Sequence, residues 1–296
     1  MSERPAFNSS RYARRPFASS RSCCARSGSL NFVPRTHPPL AYNLKTMPRL
    51  MRLALVQLCL LALSGVSSFA QSSGSSAPEF FRIQPVRPVE QLRHEALLLK
   101  PPPERGDFKP FDLVELIKLD PSIHLDIRYA SSNNFLGTPI YSQARAFLQR
   151  PAAAALVRAA QRLKKDGFGL LIHDGYRPWY VTWMFWQATP PDKHDFVADP
   201  AKGSRHNRGC AVDLTLYDLH TGRAVEMPGL YDEMTERSYP NYTGGTPAQR
   251  HLRDTLRAAM ESEGFRVFEF EWWHFDYQDW QSYPIGNISF ESIGSH

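Results

Sequence analysis

Cysteine is scarce in this chain and badly placed for structural work. Of the four cysteines in 296 residues, Cys23, Cys24 and Cys59 fall within the first 70, leaving Cys210 alone in the rest. A lone thiol forms no internal disulfide, and no CxxC pair exists to hold a metal, so a hydrophobic core must stabilise the fold. Acidic residues are equally uneven. Residues 1–70 carry one acid, Glu3, against ten Lys or Arg; from Gln71 onward there are 25 basic and 28 acidic residues. The formal net charge of +6 therefore belongs to the first 70 residues, and the remainder is slightly acidic. A nucleic-acid footprint needs a basic face on the folded part, and none is present, so nucleic acid is not expected as a partner. Long apolar runs are missing too. With 22% charged, 42% hydrophobic and 12% aromatic residues, the composition excludes a collagen-like, coiled-coil or wholly disordered chain.

The one apolar run, Leu53 to Leu63, is interrupted only by Gln57 and is too short to span a bilayer. Arg49 and Arg52 precede it and Ser68-Phe69-Ala70 follows, which is the layout of a secretory signal peptide over 47–70. No stable membrane insertion is expected after cleavage, and the mature protein is expected in the periplasm or secreted. Residues 1–46 are rich in Arg and Ser and resemble a transit peptide, but a signal peptide works best at an N-terminus. Translation starting at Met47 or Met51 accounts for both facts, and 1–46 are expected to have no fold of their own.

Residues 71–106 pass from Ser/Gly-rich to Pro-rich sequence around a short helical stretch, Val89 to Leu99, and are expected to form an arm on the domain surface. From about 107 to 296 the pattern is that of a single α+β domain. Ser122 to Tyr129 alternates apolar and polar side chains, as a strand does. Ala152 to Lys165 has helical spacing, with Gly167 just beyond it, and Gly169 to His173 reads as a buried strand. Pro178 opens a second helix through Trp183 and Trp186. Ala211 to Leu216 is a strand, Thr246 to Glu263 a helix closed by Gly264, and Phe265 to Phe275 a final strand or strand pair. Strands with hairpin-like neighbours, separated by helices, predict a central antiparallel or mixed sheet with flanking helices.

Three segments carry chemistry. In Ser204-Arg-His206-Asn-Arg-Gly209-Cys-Ala-Val-Asp213, the strand turns Val212, Leu214 and Leu216 to one face and Asp213 to the other. A carboxylate there needs a partner, and Gly209 permits a turn that returns His206 to the same side. In Glu271-Trp-Trp-His274-Phe-Asp276-Tyr, two hydrophilic groups sit among aromatics; a regular strand points them opposite ways, so a bulge at Trp272-Trp273 is needed to converge them. Taken singly, the first segment reads equally as a strand-edge His with a solvated Asp, and the second as a core strand with a hydrogen-bonded His. Together, His206, Asp213 and His274 supply two imidazoles and a carboxylate, the donor set of a hydrolytic zinc site at the sheet, with Glu271 as the general base. In Asp174-Gly-Tyr-Arg177-Pro178, Arg177 is either the clamp for a developing oxyanion or the partner of a surface acid.

SRHNRGCAVD, EWWH and DGYRP together resemble the signatures of the D-alanyl-D-alanine dipeptidases of the vancomycin-resistance type, a branch of the zinc DD-peptidase family that also includes DD-carboxypeptidases. The similarity runs from about Leu125 to Asp276 and includes Tyr129 in IRYASSNNF and Asp232 in GLYDEMTERS. It implies one Zn²⁺ on His206, Asp213 and His274, Glu271 as base, Arg177 as transition-state clamp, Ser204 at the substrate carboxylate, and Asp232 with Tyr129 at the substrate ammonium. A small dipeptide such as D-Ala-D-Ala is the implied substrate. The long N-terminal arm and Cys210, where a small residue is more usual, depart from the pattern. Two alternatives stand beside this expectation: a DD-carboxypeptidase acting on longer wall peptides, and a zinc-retaining binding module without catalysis. Expression from Met47 is expected to yield an exported protein whose N-terminus, by sequencing, lies near Gln71; an intact Met1 in exported material would overturn that expectation.

Overall fold

The computed structural model describes residues 80–294. The leader and the 1–46 extension lie outside the described residues. A five-stranded mixed sheet with helices packed against it organises these residues. The strands are β1 (Leu113–Glu115), β2 (His124–Leu125), β3 (Phe147–Gln149), β4 (Phe168–Asp174), β5 (Ala211–Asp218), β6 (Phe265–Phe268) and β7 (Glu271–Tyr277). The main sheet runs β2-β4-β5-β7-β6, parallel at β2–β4 and antiparallel elsewhere, while β1 and β3 form a separate antiparallel pair.

Among the described residues, the helices of more than one turn are α1 (Val89–Ala96), α2 (Arg150–Leu163), α3 (Trp179–Ala188) and α4 (Pro247–Glu261), and a single helical turn covers Leu116–Leu119. Their ends follow from local chemistry. Thr246 caps α4 through a capping box with Gln249, which satisfies backbone donors that the first turn leaves unpaired. After α2 a 3-10 turn, Lys164–Asp166, hands over to Gly167 at φ 86°, a left-handed conformation that glycine takes without strain. Helices α2 and α4 pack on the sheet and on each other, while α1 packs on α3. Leu156, Leu163, Leu214, Leu216, Leu256 and Met260 are all buried in one contiguous core. Among the described residues, no helix is long and apolar enough to cross a membrane.

Two elements differ from the sequence expectation. The strand expected over Ser122–Tyr129 is only His124–Leu125; a 3-10 turn, Arg128–Ala130, replaces its second half. That turn still buries Ile127 and Tyr129, so the alternation reports burial correctly but not extension. In the segment expected as a surface arm, Leu92 and Ala96 of α1 are fully buried. Backbone bonds tie it down further, from Ile83 N–H to the Phe135 carbonyl and from Val86 N–H to that of Ala188, each 2.9 Å long.

Strand β5 is the spine of the domain. Val212, Leu214 and Leu216 are fully buried on one face, and Asp213 and Thr215 on the other are buried as well. Leu214→Ala is expected to remove core packing worth about 2–5 kcal/mol. In a domain of this size that lowers the melting temperature of the metal-free protein by roughly 5–15 °C in a thermal scan, with the fold retained.

Candidate active site

The site forms where three chain segments meet over β5. Asp213 lies opposite His274 in the β5–β7 ladder, so their side chains share a face. His206 arrives by the 3-10 turn His206–Arg208, which Gly209 ends at φ 68°. On β7 the register breaks where Glu271 and His274 require it. Val267 lies opposite Phe275, yet the next residue, Phe268, lies opposite Glu271, leaving Trp272, Trp273 and His274 without partners on β6. That bulge lets Glu271, Trp273 and His274 line the same cavity, of about 410 Å³. Its size is that of a small-ligand pocket.

The hydrogen bonds fix which atoms face inward. His206 Nδ1 lies 2.7 Å from the Gly175 carbonyl, and His274 Nε2 lies 2.9 Å from Asp276 Oδ1. Each outer nitrogen is therefore assigned as the N–H donor, which leaves a lone pair on His206 Nε2 and on His274 Nδ1. These two atoms are 3.1 Å apart, and Asp213 Oδ1 lies 3.3 Å from the first and 3.1 Å from the second. Three acceptors converge with no proton assigned between them. Asp213 Oδ1 is buried and has no hydrogen-bond partner. Donors around a tetrahedral metal with bonds of about 2.0–2.1 Å stand about 3.3 Å apart, so the triad fits such an ion. Two imidazoles oriented by a carbonyl and a carboxylate are also the usual outer shell of a metal site.

Electrostatics argue the same way. Without an ion, burial opposes a charge on His274, but Asp276 and Asp213 outweigh it and hold the imidazole up at about 10, so a proton on Nδ1 facing Asp213 takes the place that an ion would occupy. Burial likewise opposes the Asp213 carboxylate, yet His206 and His274 keep it well below the ordinary range. The cavity calls for positive charge at this point. Glu271 is pushed up to about 8 by burial, with His274 and Arg177 working against the rise and Asp213 and Asp276 adding to it. A carboxyl poised there can both take and return a proton near neutrality.

Arg177 is paired, but with a buried acid and not a surface one. Its Nε and Nη2 lie 2.9 and 2.8 Å from Asp174 Oδ2, and Nη2 lies 3.7 Å from Asp213 Oδ2. Asp174 is held in turn by the Tyr141 hydroxyl at 2.8 Å. The guanidinium lies over the Tyr129 and Phe185 rings, 5.3 and 4.9 Å from their centroids, and is thereby locked against the cavity wall. Ser204 lines the cavity and its Oγ accepts a hydrogen bond from the His206 N–H at 3.2 Å.

Asp232 stands at φ 58°, the one non-glycine residue in the left-handed region among those described. Such backbone is costly and persists where surroundings over-determine it. The Tyr129 hydroxyl lies 3.1 and 3.0 Å from the two Asp232 oxygens. Burial, with Asp213 and Glu271 nearby, pushes the Asp232 carboxyl well above the usual carboxylate range, so a cation beside it is favoured. All eight residues singled out from the sequence thus line one cavity. Not foreseen from the sequence were the supports: Asp174 behind Arg177, Asp276 behind His274, and Tyr231, whose hydroxyl lies 3.0 Å from Asp213 Oδ2. Asp276, two residues from His274 on one strand face, could have been found by period-two spacing; Tyr231 comes from a loop and leaves no such signal.

The D-ala-D-ala dipeptidase family of peptidases, designated M15, matches residues 109–292. The chain belongs to that family. It is 38% identical over 174 residues to the D-alanyl-D-alanine dipeptidase of Escherichia coli K12, an alignment covering 59% of this chain and 89% of that one. It is 37% identical over 193 residues to the D-alanyl-D-alanine dipeptidase of Enterococcus faecalis, covering 58% and 95%. The Streptomyces coelicolor D-alanyl-D-alanine dipeptidase is 35% identical over 188 residues, covering 57% and 91%. Family membership makes this chain a peptidase-type hydrolase, and the triad is the group of its described residues able to hold a metal ion. Elemental analysis of the purified protein is expected to find one divalent ion per chain, lost in His206→Ala; full occupancy in that variant would show a wrong ligand assignment.

Proposed function

We propose that the protein is an exported zinc dipeptidase that hydrolyses D-Ala-D-Ala or a close relative. One observation carries the reading: three metal-type donors at tetrahedral spacing, beside a glutamate that a strand bulge turns into the same cavity. Two histidines and an aspartate, with no thiolate, are a donor set of catalytic zinc, which keeps a position open, and differ from closed structural sites rich in cysteine. Zinc held by His206, Asp213 and His274 supplies Lewis acidity toward water and toward a peptide carbonyl.

The chain's own residues do the rest. Glu271 removes a proton from the water that attacks the dipeptide carbonyl, then returns it to the leaving amine. Arg177, fixed on Asp174, donates to the carbonyl oxygen as it becomes negative. Its pairing costs nothing at the moment of reaction, because the guanidinium is already in place. Ser204 serves the substrate's carboxylate and Asp232 with Tyr129 its ammonium, so a zwitterion is met at both ends. Behind Tyr129 stand Phe135 and Phe185, with ring centroids 6.2 and 4.7 Å away. This aromatic wall behind the ammonium subsite favours a dipeptide over the longer peptides that a carboxypeptidase admits. With a leader at 47–70, the fitting role is release of D-Ala from peptidoglycan fragments outside the cytoplasm.

Incubating the 71–296 chain plus zinc with D-Ala-D-Ala, L-Ala-L-Ala and a blocked wall pentapeptide tests the proposal, and cleavage of the first is the expected result. Glu271→Ala is expected to keep its metal while turnover falls at least about 10²–10⁴-fold. Loss of metal in that variant would make Glu271 a ligand. Arg177→Lys should also keep metal and lose mainly kcat, since an ammonium does not reproduce the planar fork and the oxyanion exists only after attack.

A further inference from the structure

Tyr231 belongs to none of the three signature segments, yet it is buried and touches both ends of the site. Its ring packs against His173 and Trp273, with centroids 4.7 and 5.4 Å away. The hydroxyl lies 3.0 Å from Asp213 Oδ2 and 3.2 Å from the Tyr129 hydroxyl, which itself bonds both Asp232 oxygens. Two phenols thus link the carboxylate of the metal triad to the carboxylate of the ammonium subsite.

The demands on Asp213 make this link consequential. Its Oδ1 completes the triad, and a carboxylate with only that oxygen engaged turns easily about its Cβ–Cγ bond. Among the described residues, Tyr231 is the hydrogen-bond donor to Oδ2; the nearest guanidinium nitrogen, Arg177 Nη2, stands at 3.7 Å. A phenol has one proton, and Tyr231 gives it to the charged Asp213 in preference to the neutral Tyr129 oxygen, while the Tyr129 hydroxyl bonds Asp232. The ring is held by its aromatic neighbours whether or not the hydroxyl is present.

We propose that Tyr231 is a positioning residue: its hydroxyl fixes the Asp213 carboxylate in the orientation that aims Oδ1 at the metal, and its contact with Tyr129 braces the ammonium subsite against the same point. The inference rests on the zinc dipeptidase reading above. An outer-shell partner of a metal ligand is typically worth 10–100-fold in metal affinity.

The test uses metal-free wild type, Tyr231→Phe and Tyr129→Phe, with zinc titrated against a chromophoric chelator. Melting curves of the metal-free proteins, and kcat and KM for D-Ala-D-Ala at saturating zinc, complete it. Tyr231→Phe is expected to bind zinc about 10–100-fold more weakly, with a melting temperature near wild type and KM raised roughly 3–10-fold. Tyr129→Phe, which leaves the Asp213–Tyr231 bond in place, is expected to raise KM while holding zinc affinity within about threefold of wild type. A Tyr231→Phe protein that binds zinc like wild type overturns the proposal. So does an equal loss of zinc in both variants, which would assign the effect to the aromatic cluster. Failure of the wild type itself to bind zinc would instead overturn the metal reading, and failure to cleave D-Ala-D-Ala the substrate reading.

Discussion

A buried carboxylate oxygen without a hydrogen-bond donor is the constraint around which this site is arranged. Asp213 sits near the start of the most buried strand of the sheet, where an unpaired negative charge is expensive. Each neighbour can be understood as an answer to that charge. His274 stands across the ladder, His206 is returned by a glycine-ended turn, Tyr231 covers the second oxygen, and Arg177 stands just beyond hydrogen-bonding range. Bonds at the opposite edges of both imidazoles leave His206 Nε2 and His274 Nδ1 facing Oδ1, 3.3 and 3.1 Å away. The free energy lost by burying the carboxylate is recovered by positive charge at this point, from a protonated imidazole or from a bound cation.

The strain in the surrounding backbone has the same origin. A regular β7 would send Glu271 and His274 to opposite faces, and the bulge sacrifices ladder pairing to bring both into the cavity. Asp232 takes a left-handed conformation that favours glycine, and thereby places its carboxylate under the Tyr129 hydroxyl. Both irregularities lie at the cavity, while the rest of β4 and β5 pairs regularly up to a shift next to Asp174, the residue that holds Arg177.

Much of this was legible in the sequence, for identifiable reasons. Helices α2, α3 and α4 carry strong punctuation: a proline at or just before the first turn of each, and Gly167 and Gly264 beyond two of the ends. The strand alternation of Ala211–Leu216 placed Asp213 on the face away from Leu214. The need for a bulge at Trp272-Trp273 followed from period-two geometry alone. Less legible was anything decided by contacts distant in the chain. The short β2 and the turn after it are set by where Tyr129 must reach, which alternation does not encode. Tyr231 reaches Asp213 from 18 residues away and leaves no local pattern, whereas Asp174 holds Arg177 from three residues away within DGYRP, a pairing that spacing alone does not reveal. Sequence reading also took the aromatic-rich stretch near α3 as helix without showing what would cover it.

That cover is α1, and it lies upstream of the residues that the family shares. The same segment sends Glu104 to Arg208, 2.6 Å away, inside the turn region that delivers His206. Arg208 is nearly buried and also donates to the Tyr283 carbonyl, so the carboxylate neutralises a cation the interior would otherwise carry alone. Here the shared family region and the cooperative folding unit have different borders. A chain cut at Lys109 would keep every residue that lines the cavity, and would still leave one side of α3 bare and the Arg208 guanidinium without its counter-charge. The proline-rich stretch lines none of the cavity, yet it covers the helix whose Phe185 does.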